Sequence, residues 1–321
     1  GETTADKNEV SKADVVASGL DRASLPGHSK DKNKSGSVNF TDSAVLTHPV
    51  NPDRLDLGKL NIQARDTTQA IVNILEKDSQ VNIWDKKTCF FYLFFLLRKR
   101  LILEDAAGLG FLWDKLPADS RIPDHSIWNH CSIVSALGSC FAQSKKNSAS
   151  LVVISISPVQ PFIAKTRKLK DHWVASVLLS WLTFEAMSAV VNSLGPDHIL
   201  YPSLKDQPFF EYMLQEDLSL NATSVIDAYN DLLPLKKDDT VASLPNKFVF
   251  LAPSGQEEDY IDQVKAKINQ AWQQLSKLVE KLISQKAGFD LGEAFQEIYQ
   301  RQTKNYWNLS WSCTKLVSIS D

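Results

Sequence analysis

A length of 321 residues suggests about two domains, at roughly 100–200 residues per domain. Hydrophobic residues make up 43% of the chain, enough to build a core in each domain. Lys and Arg number 35 and Asp and Glu number 38, which gives a net charge of −3. That balance argues against a protein that grips nucleic acid by bulk charge alone, although a local basic patch remains allowed.

The first half of the chain shows helical spacing and almost no strand pattern. The apolar run from Cys89 to Leu97 is too short for a membrane span of about 20 residues, so we interpret it as a buried helix closed by Arg98, Lys99 and Arg100. The polar segment 27–43 is expected to be mobile. Predicted helices cover residues 11–22, 64–77, 82–104 and 126–143.

The second half begins after a polar run at 143–148 and alternates strands with helices. Predicted strands cover 151–156, 198–201, 247–251 and 308–317, and predicted helices cover 164–191, 259–285 and 290–307. This β-α-β-β-α-β order predicts a ferredoxin-like sheet with its helices on one face. The helix at 259–285 carries an apolar stripe that we predict to be core, formed by Ile261, Val264, Ile268, Trp272, Leu275, Val279 and Leu282.

The cysteines and the polar N-terminus indicate the cellular compartment of the protein. The four cysteines show no C-x-x-C spacing, so the sequence predicts no zinc site. Free thiols are typical of a reducing compartment, and the polar N-terminus resembles no signal peptide, so we expect a cytoplasmic protein without a membrane span. From its polar opening at Gly1 we also expect a fragment of a longer protein.

The segment 116–130 combines two prolines, three charged residues, two histidines and a tryptophan. We interpret it as a loop that feeds a helix starting near Asp124 or Ser126. His125 and His130 are five residues apart, about 140° around a helix, so at most one can be a metal ligand there. Asp14 is a second candidate ligand. Taken alone, each residue fits a structural role better than a ligand role: a hydrogen-bonded histidine in one case, and a helix-surface or capping acid in the other.

A basic patch follows the first strand of the second half. Lys165, Arg167, Lys168 and Lys170 lie close together beside Trp173, a pattern that suits phosphates or an RNA backbone and equally suits a solvated helix face. No Walker-type loop, G-x-G-x-x-G motif or Gly-Gly-Asp-Asp turn occurs in the sequence.

Several short motifs follow one another in a fixed order along the chain. They are Thr47-His-Pro-Val, Leu55-Asp-Leu-Gly58, the stretch 116–130, Val153-Ile-Ser-Ile-Ser-Pro-Val-Gln-Pro-Phe-Ile-Ala164, Arg167-Lys-Leu-Lys-Asp-His-Trp-Val-Ala-Ser-Val-Leu-Leu-Ser180, Gly195-Pro-Asp, Tyr201-Pro-Ser-Leu, Gln207-Pro and Ser243-Leu-Pro-Asn-Lys-Phe248. Together these motifs resemble one family: the large polymerase-like subunit of type III-B (Cmr-type) CRISPR effector complexes, in its N-terminal portion. The similarity covers most of residues 45–310.

The resemblance implies an α+β architecture, with a helical domain of the His-Asp (HD) type over 1–145 and a first, ferredoxin-like palm domain over 150–321. It implies cyclic oligoadenylate synthesis from ATP by the complete subunit and, in some members, cleavage of single-stranded DNA at a divalent metal such as Mn, Mg or Ni. The expected partners are the neighbouring effector subunit that holds the crRNA 5′ end and, through the complex, crRNA and target RNA.

The sequence departs from the family pattern at Asn129, where an Asp is expected, and at Ser157, where a Gly is expected. By position, Asp14 and His130 would be two metal ligands, but the sequence contains no His-Asp dipeptide. Arg167, Lys168, Asp171 and Ser176 would line the edge of the ATP site.

Neither active site is complete, so we expect a structural and RNA-complex role for this chain and leave its status as an enzyme open. One alternative is a metal-dependent HD-type nuclease or phosphohydrolase that uses Asp14, His130 and a third ligand such as His125 or His28. Another alternative is a scaffold subunit whose sites have decayed.

Overall fold

Helices and two antiparallel sheets make up the fold in the computed structural model of the chain. The residues described are 4–21, 42, 44–48, 50, 51, 53–60, 64–81, 85–119, 125–145, 148–217, 220–233, 241–288 and 292–316. Their α-helices are α1 (Thr4–Asp21), α2 (Ala64–Val81), α3 (Lys86–Phe91), α4 (Leu97–Leu103), α5 (Leu112–Lys115), α6 (Ile127–Gln143), α7 (Gln160–Ile163), α8 (Leu169–Ser193), α9 (Pro208–Glu216), α10 (Ala222–Leu232), α11 (Glu257–Ala287) and α12 (Gly292–Thr303). Their strands are β1 (Ala44–Thr47), β2 (Arg54–Gly58), β3 (Ala149–Ser157), β4 (Ile199–Tyr201), β5 (Lys247–Pro253) and β6 (Asn308–Lys315).

The chain divides into two compact units, each assembled from two stretches of sequence. Unit 1 consists of Gly1–Gly138 and Glu211–Lys237, and unit 2 of Ser139–Phe210 and Asp238–Asp321. The expected division at 145–150 assigned 211–237 to the second domain, and the structure differs there. The reason is a set of buried polar contacts: the Lys99 Nζ lies 3.0 Å from the Glu211 Oε1, and the Arg98 guanidinium donates to the Tyr229 hydroxyl at 3.2 Å.

Unit 1 contains one broken helix at its centre. A π-helical turn, Tyr92–Leu96, joins α3 to α4, and the N-cap of α3 is Asp85, whose carboxylate accepts from the Thr88 N–H. The expectation that Arg98, Lys99 and Arg100 close this helix is wrong, because α4 continues to Leu103. Arg98 and Lys99 are buried and pair with the carboxylates of Asp114 and Glu211.

Unit 1 also contains a hairpin that the sequence patterns did not predict. β1 pairs antiparallel with β2, and the His48 Nδ1 accepts from the Val50 and Asn51 N–H groups in the turn. The strands are only four and five residues long, too short to give a clear alternating pattern. The segment expected to be mobile, 27–43, lies outside the described residues except for Asp42.

Unit 2 is a four-stranded antiparallel sheet in the order β4-β5-β3-β6. Helix α8 crosses from β3 to β4, and α11 and α12 cross from β5 to β6. One face of β3 is fully buried through Val152, Ile154 and Ile156. These residues share a face because alternate side chains of a strand point to the same side of the sheet. All four strands predicted in the second half are confirmed, with small shifts of their ends.

Helix α8 is long and apolar enough, by length and composition, to cross a membrane. More than half of its most apolar stretch is buried inside the protein, and it contacts β4, β5 and α11. That is the position of a core helix in a soluble protein, and the cytoplasmic location remains a prediction.

The apolar stripe of α11 is core only in its first half. Ile261, Val264 and Ile268 are buried, whereas Val279 and Leu282 are 38% and 47% exposed, so the prediction of a continuous core stripe is wrong at its end. A helix of 31 residues is about 46 Å long, while a strand of nine residues spans about 30 Å. The helix therefore extends past the sheet that it covers.

Candidate functional site

The segment 116–130 forms a short bridge that leads into α6. Pro117 pairs with Ser126, and the Ile127 N–H donates to the Leu116 carbonyl at 2.8 Å. Ser126 precedes the helix, and its Oγ accepts from the Asn129 N–H at 3.4 Å, as an N-cap does. The predicted helix start near Ser126 is confirmed, and Arg121 and Asp124 lie outside the described residues.

His125 lies before α6, not on it. Its carbonyl accepts from the Ala118 N–H at 3.0 Å in the bridge, and the first helical residue is Ile127. His125 and His130 are therefore not separated by the expected 140° around one helix, because the bridge sets the backbone at residue 125.

Asp14 and His130 meet in unit 1. The His130 Nε2 lies 3.1 Å from the Asp14 Oδ1, although the two residues are 116 positions apart in sequence. Helices α1 and α6 also approach each other at Gly138, where an added Cβ would lie 3.8 Å from the Ala13 Cβ. The His130 side chain is mostly covered and that of Asp14 is mostly exposed.

This pair supplies two of the donors that a metal site needs. A catalytic zinc site, for comparison, uses three protein ligands and keeps one open position. Among the described residues, no group of three or more His, Cys, Asp or Glu side chains is placed to hold a metal ion. His28, one of the suggested third ligands, lies outside those residues. The described donors alone form a hydrogen-bonded His–Asp pair and not a complete metal centre.

Unit 2 has a wide cleft between the start of α8 and the end of α12. Its volume is about 810 Å³, within the range of ligand sites. We call it the basic–aromatic cleft and define it by its lining residues: Phe162, Lys165, Thr166, Arg167, Lys170, Asp171, Val174, Ala175, Leu178, Trp272, Gln302, Thr303 and Tyr306.

Three aromatic rings form the apolar wall of the basic–aromatic cleft. Trp272 and Tyr306 have ring centroids 5.8 Å apart, and Phe162 meets Tyr306 edge-on at 5.9 Å. The Trp272 indole N–H donates to the Thr303 carbonyl at 2.8 Å, which fixes the ring plane. Partial burial raises the pKa of the Tyr306 hydroxyl above its ordinary value of 10, a value at which the ring is already uncharged at neutral pH.

Three cationic side chains also line the cleft. Within the described part of the chain, Lys165, Arg167 and Lys170 have no carboxylate within the 4.0 Å of an ion pair. The Lys165 Nζ lies 5.8 Å from the centre of the Tyr306 ring, so basic and aromatic groups adjoin. Uncompensated cations beside exposed ring faces suit a ligand that is both anionic and aromatic.

The structure brings together only some of the residues expected at a nucleotide edge. Arg167 and Asp171 line the basic–aromatic cleft, but Lys168 and Ser176 are not among its lining residues in the described chain. The Ser176 Oγ donates to the His172 carbonyl at 3.0 Å within α8. The expected aromatic neighbour, Trp173, is not a lining residue either.

The aromatic wall was missed because its members are distant in sequence. Trp272 was assigned to the core stripe of α11, and Tyr306 received no role. The only local signal for this cluster is that two aromatic residues, Tyr306 and Trp307, are adjacent just before β6.

A second group of titratable side chains is buried in unit 2. The His198 Nδ1–H donates to the Leu251 carbonyl at 2.8 Å, and the Cys140 Sγ lies 3.9 Å from the same nitrogen. Burial, with a smaller contribution from the Asp197 charge, raises the pKa of Cys140 to about 12. Burial also lowers the pKa of His198. The thiol is therefore protonated and inert, and this group is structural.

Comparison with known proteins addresses the family. The sequence model described as "CRISPR-associated protein Cmr2, N-terminal" matches residues 151–277. The "CRISPR system Cmr subunit Cmr2" of Pyrococcus furiosus is 32% identical over 224 residues, which cover 68% of this chain and 23% of the relative. The chain belongs to the Cmr2 family. The expected resemblance to the large type III-B subunit, in its N-terminal portion, is confirmed.

Other Cmr2 relatives extend the match over almost the whole chain. The Cmr2 subunit of Saccharolobus solfataricus is 26% identical over 335 residues, covering 96% of this chain and 30% of the relative. The cryo-EM structure of type III-B Cmr-beta in the apo state matches 99% of this chain and 33% of the matched chain, with a TM-score of 0.68 and 22% identity. At that identity the likeness concerns the fold.

A second solved structure, Cmr-beta bound to cognate target RNA, matches with a TM-score of 0.66 and 21% identity, over 96% of this chain and 32% of that chain. The chain thus spans between about a quarter and a third of the length of the Cmr2 relatives it matches.

Proposed function

We propose that this chain acts as the N-terminal region of the large subunit in a crRNA-guided type III-B effector complex of antiviral defence. The observation that carries the proposal is the family match over residues 151–277 together with 32% identity to a Cmr2 subunit. The likeness of fold to a chain of the Cmr-beta complex over 99% of the residues supports the same proposal.

The proposed architecture is a helical HD-like domain followed by a ferredoxin-like palm. The palm is supported by the sheet order β4-β5-β3-β6 and its two helical crossovers, which form a split β-α-β arrangement. The HD-like assignment is supported by the approach of Asp14 to His130 from two helices. We include Glu211–Lys237 in the helical domain, because buried contacts tie it to α4.

The proposed partners are the neighbouring subunit that holds the crRNA 5′ end and, through the complex, crRNA and target RNA. One of the matched structures is the Cmr-beta complex bound to cognate target RNA, which supports RNA as a partner of such assemblies. An assembly of this kind would work in the cytoplasm.

Co-expression with the other subunits of the same type III-B complex tests the proposal. The chain, carrying an affinity tag, should retain the neighbouring subunit and crRNA through size-exclusion chromatography. A tagged unrelated ferredoxin-like domain serves as the control. A chain that elutes alone under conditions in which the remaining subunits assemble would contradict the proposal.

We propose ATP as a ligand of the complete subunit only, with this chain contributing one edge of the site. Arg167 and Asp171 support that edge because they line the basic–aromatic cleft, and the contributions of Lys168 and Ser176 rest on the family resemblance alone. The chain by itself is then catalytically silent, whether the parent subunit is active or has decayed to a scaffold.

A second candidate function is a metal-dependent nuclease or phosphohydrolase in unit 1. The 3.1 Å approach of the His130 Nε2 to the Asp14 Oδ1 favours it, because imidazole and carboxylate are the donors that Mn²⁺ and Ni²⁺ accept. In this proposal the third ligand comes from another residue, such as His28.

Metal titration by calorimetry with Mn²⁺ and Ni²⁺ tests the second function. One ion per chain should bind, and Asp14→Asn and His130→Gln should each abolish binding. His48→Gln, which removes a histidine from the β1–β2 turn, is the matched control. No stoichiometric metal in the unchanged chain would eliminate this candidate.

A further inference from the structure

We propose that the open edge of β6 accepts one extended strand from a partner protein, whose basic side chains lie against Trp311 and the carboxylates of Glu258 and Asp259. The interaction is β-augmentation, in which backbone hydrogen bonds supply affinity and alternate side chains supply specificity. This inference goes beyond the proposed function, because it rests on the geometry of unit 2 alone. The assembly role and the strand-binding role can therefore fail separately.

In the described part of the chain, the outer side of β6 pairs with no other strand. The sheet ends at β6, which pairs only with β3, over eight residues and without a bulge. All of its residues except Leu309 are exposed. The strand contains no proline, and its only charged residue is Lys315 at its end. Natural edge strands are usually protected by shortness, charge, proline or a bulge, so β6 is an open edge.

The opposite edge of the same sheet is protected. β4 has only three residues, its register with β5 shifts between Ile199 and Tyr201, and Pro202 follows it directly. Proline lacks the N–H group that a further strand would need as a donor. Of these two edges, only β6 is therefore suited to pair with a strand of several residues.

The backbone groups that point away from β3 belong to Leu309, Trp311, Cys313 and Lys315. The Leu316 N–H donates to the Ala149 carbonyl at 2.9 Å, so Leu316 faces β3. In an antiparallel pair, residues whose backbone faces the partner alternate with residues whose backbone faces away. Because the register is unbroken, every second residue before Leu316 also faces β3, and the residues between them face outward.

A groove lies beside this edge, on the face of the sheet that the side chains of the outward residues share. Its volume is about 530 Å³. Among its lining residues are three from the first turn of α11 and three from β6, namely Glu257, Glu258, Asp259, Trp311, Cys313 and Lys315. A residue of an added strand that lies opposite Trp311 or Cys313 would point its side chain to the same face, and so into this groove.

The charges of the groove favour a basic side chain. Glu258 and Asp259 are exposed, and neither lies within the 4.0 Å of an ion pair with a described cation. Burial raises the pKa of Glu257, but hydrogen bonds from the Ser150 hydroxyl and the backbone, together with the Lys315 charge, lower it overall. Lys315 thus already compensates Glu257, and two carboxylates remain for a cation of the added strand.

Trp311 is an observation independent of the carboxylates. Acidic residues in a first helical turn also suit the helix dipole, so the acids alone would indicate no ligand. Trp311, however, is 41% exposed on the outward edge, where an added strand would cover its ring. Arg and Lys stack on indole faces, so the ring and the carboxylates favour the same kind of side chain. The acidic wall would repel a nucleic-acid strand.

Binding of a synthetic peptide to the whole chain tests the proposal. The probe is a labelled peptide of about eight residues in which Arg alternates with Val, a length that matches the strand. Fluorescence anisotropy should show saturable binding of one peptide per chain. A peptide with Glu in place of every Arg should bind about tenfold more weakly or not at all.

A matched pair of modified peptides tests the backbone hydrogen bonds. With Arg side chains in the groove, the Arg N–H groups face β6 and the Val N–H groups face solvent. N-methylation of the Arg nitrogens keeps the charge but removes these donors, and it should weaken binding about tenfold or more. N-methylation of the Val nitrogens should leave binding nearly unchanged.

Amide hydrogen exchange, followed by NMR, locates the contact on the chain. At saturating peptide, exchange of the outward N–H groups of Leu309, Trp311 and Cys313 should slow about tenfold or more. The N–H groups of Ser310 and Ser312 face β3 and should change little. This alternation is specific to an added strand, because a ligand held by charge alone would not distinguish neighbouring amides.

Two matched pairs of variants test the edge and the charges separately. Cys313→Pro removes an outward N–H and should weaken binding about tenfold or more, whereas Cys313→Ala keeps it and should bind like the unchanged chain. Glu258→Gln combined with Asp259→Asn should weaken binding about fivefold at low salt and less at high salt. Asp262→Asn removes an exposed acid of α11 outside the groove and should leave binding unchanged.

Several results would overturn the proposal. These are no saturable binding, equal binding of the two N-methylated peptides, and equal losses in the Asp262→Asn variant and the Glu258→Gln, Asp259→Asn variant. Protection of the same amides on raising the protein concentration without peptide would instead assign the edge to a second copy of the chain. Circular dichroism and thermal melting confirm that each variant is folded, and the modified peptides keep the test decisive if Cys313→Pro unfolds.

Discussion

Among single residues, Lys99 is a charged side chain that is almost fully buried in unit 1. Its ammonium group is almost fully buried, 3.0 Å from the Glu211 carboxylate and 3.9 Å from the centre of the Tyr229 ring. Taking such a charge out of water is costly unless a partner and a polarisable face accompany it. The pair therefore fixes Glu211–Lys237 onto α4 as one arrangement and opposes others.

Lys99→Met should destabilise unit 1 by about 3–5 kcal/mol, because it leaves the Glu211 carboxylate buried without its cation. Lys77→Met is the matched control, since the Lys77–Glu104 pair is exposed and should cost less than about 1 kcal/mol. Urea unfolding followed by circular dichroism measures both. Equal destabilisation by the two variants would contradict the burial argument.

His198 should make the stability of unit 2 depend on pH. Burial lowers the pKa of His198 in the folded state, so the unfolded chain takes up a proton near the ordinary pKa of 6.5 while the folded chain does not. The free energy of unfolding should then decrease as the pH falls below about 6.5, by at most about 1.4 kcal/mol per pH unit.

Urea midpoints at pH 7.5 and 5.5 measure this effect. His198→Asn is the comparison, because its amide can donate to the Leu251 carbonyl but does not titrate in this range. The decline with falling pH should be smaller in the variant, and an identical decline in both proteins would assign it to other groups.

Cys140 should resist thiol reagents that modify Cys131 and Cys313. Burial raises the pKa of Cys140 to about 12, so almost no thiolate forms at neutral pH, whereas Cys131 and Cys313 are exposed. Mass spectrometry after brief iodoacetamide treatment measures the order of labelling. Labelling of Cys140 as fast as Cys131 in the folded protein would show that the buried position opens readily.

At the scale of elements, α11 serves two roles along one apolar stripe. Its first half packs on the sheet, and its second half extends past the sheet, where Val279 and Leu282 are 38% and 47% exposed. Periodicity alone gave both halves the same assignment, since it records which face a side chain occupies and not what that face meets.

Ile268→Ala should therefore destabilise unit 2 by about 2–5 kcal/mol, through lost burial and a cavity. Leu282→Ala, on the same stripe, should change the free energy of unfolding by less than about 0.5 kcal/mol in the isolated chain. Denaturant unfolding compares them. A large cost for Leu282→Ala would mean that this end of α11 is buried in solution.

At the scale of the whole molecule, the chain comprises a helical unit and a sheet unit that resemble the N-terminal part of a large CRISPR subunit. The sequence contains no Gly-Gly-Asp-Asp turn to hold the metal ions of a cyclase. The metal-binding acids that this turn would supply to a cyclase are therefore not part of these 321 residues.

The purified chain supplied with ATP and Mn²⁺ should form no cyclic oligoadenylate. Chromatography coupled to mass spectrometry detects the product, with an assembled type III-B complex and its target RNA as the positive control. Clear product from the chain alone would overturn its assignment as a catalytically silent component.

Local sequence signals were sufficient for the family and for most of the elements. The family followed from many short motifs in a fixed order, and the strands of unit 2 and helix α6 followed from local periodicity. The strands β1 and β2 were not predicted, because four or five residues are too few to show a clear alternating pattern. His125 was placed on a helix because the Pro117–Ser126 bridge pairs residues nine positions apart and leaves no local pattern in the sequence.

Which distant side chains meet was settled by tertiary packing alone. Packing placed Asp14 beside His130 across 116 residues, Glu211 beside Lys99 across 112, and Trp272 and Tyr306 in one cleft with Lys165 and Arg167. Local patterns fix the face of an element on which a residue lies. Which other element packs against that face depends on the arrangement that buries the whole core together.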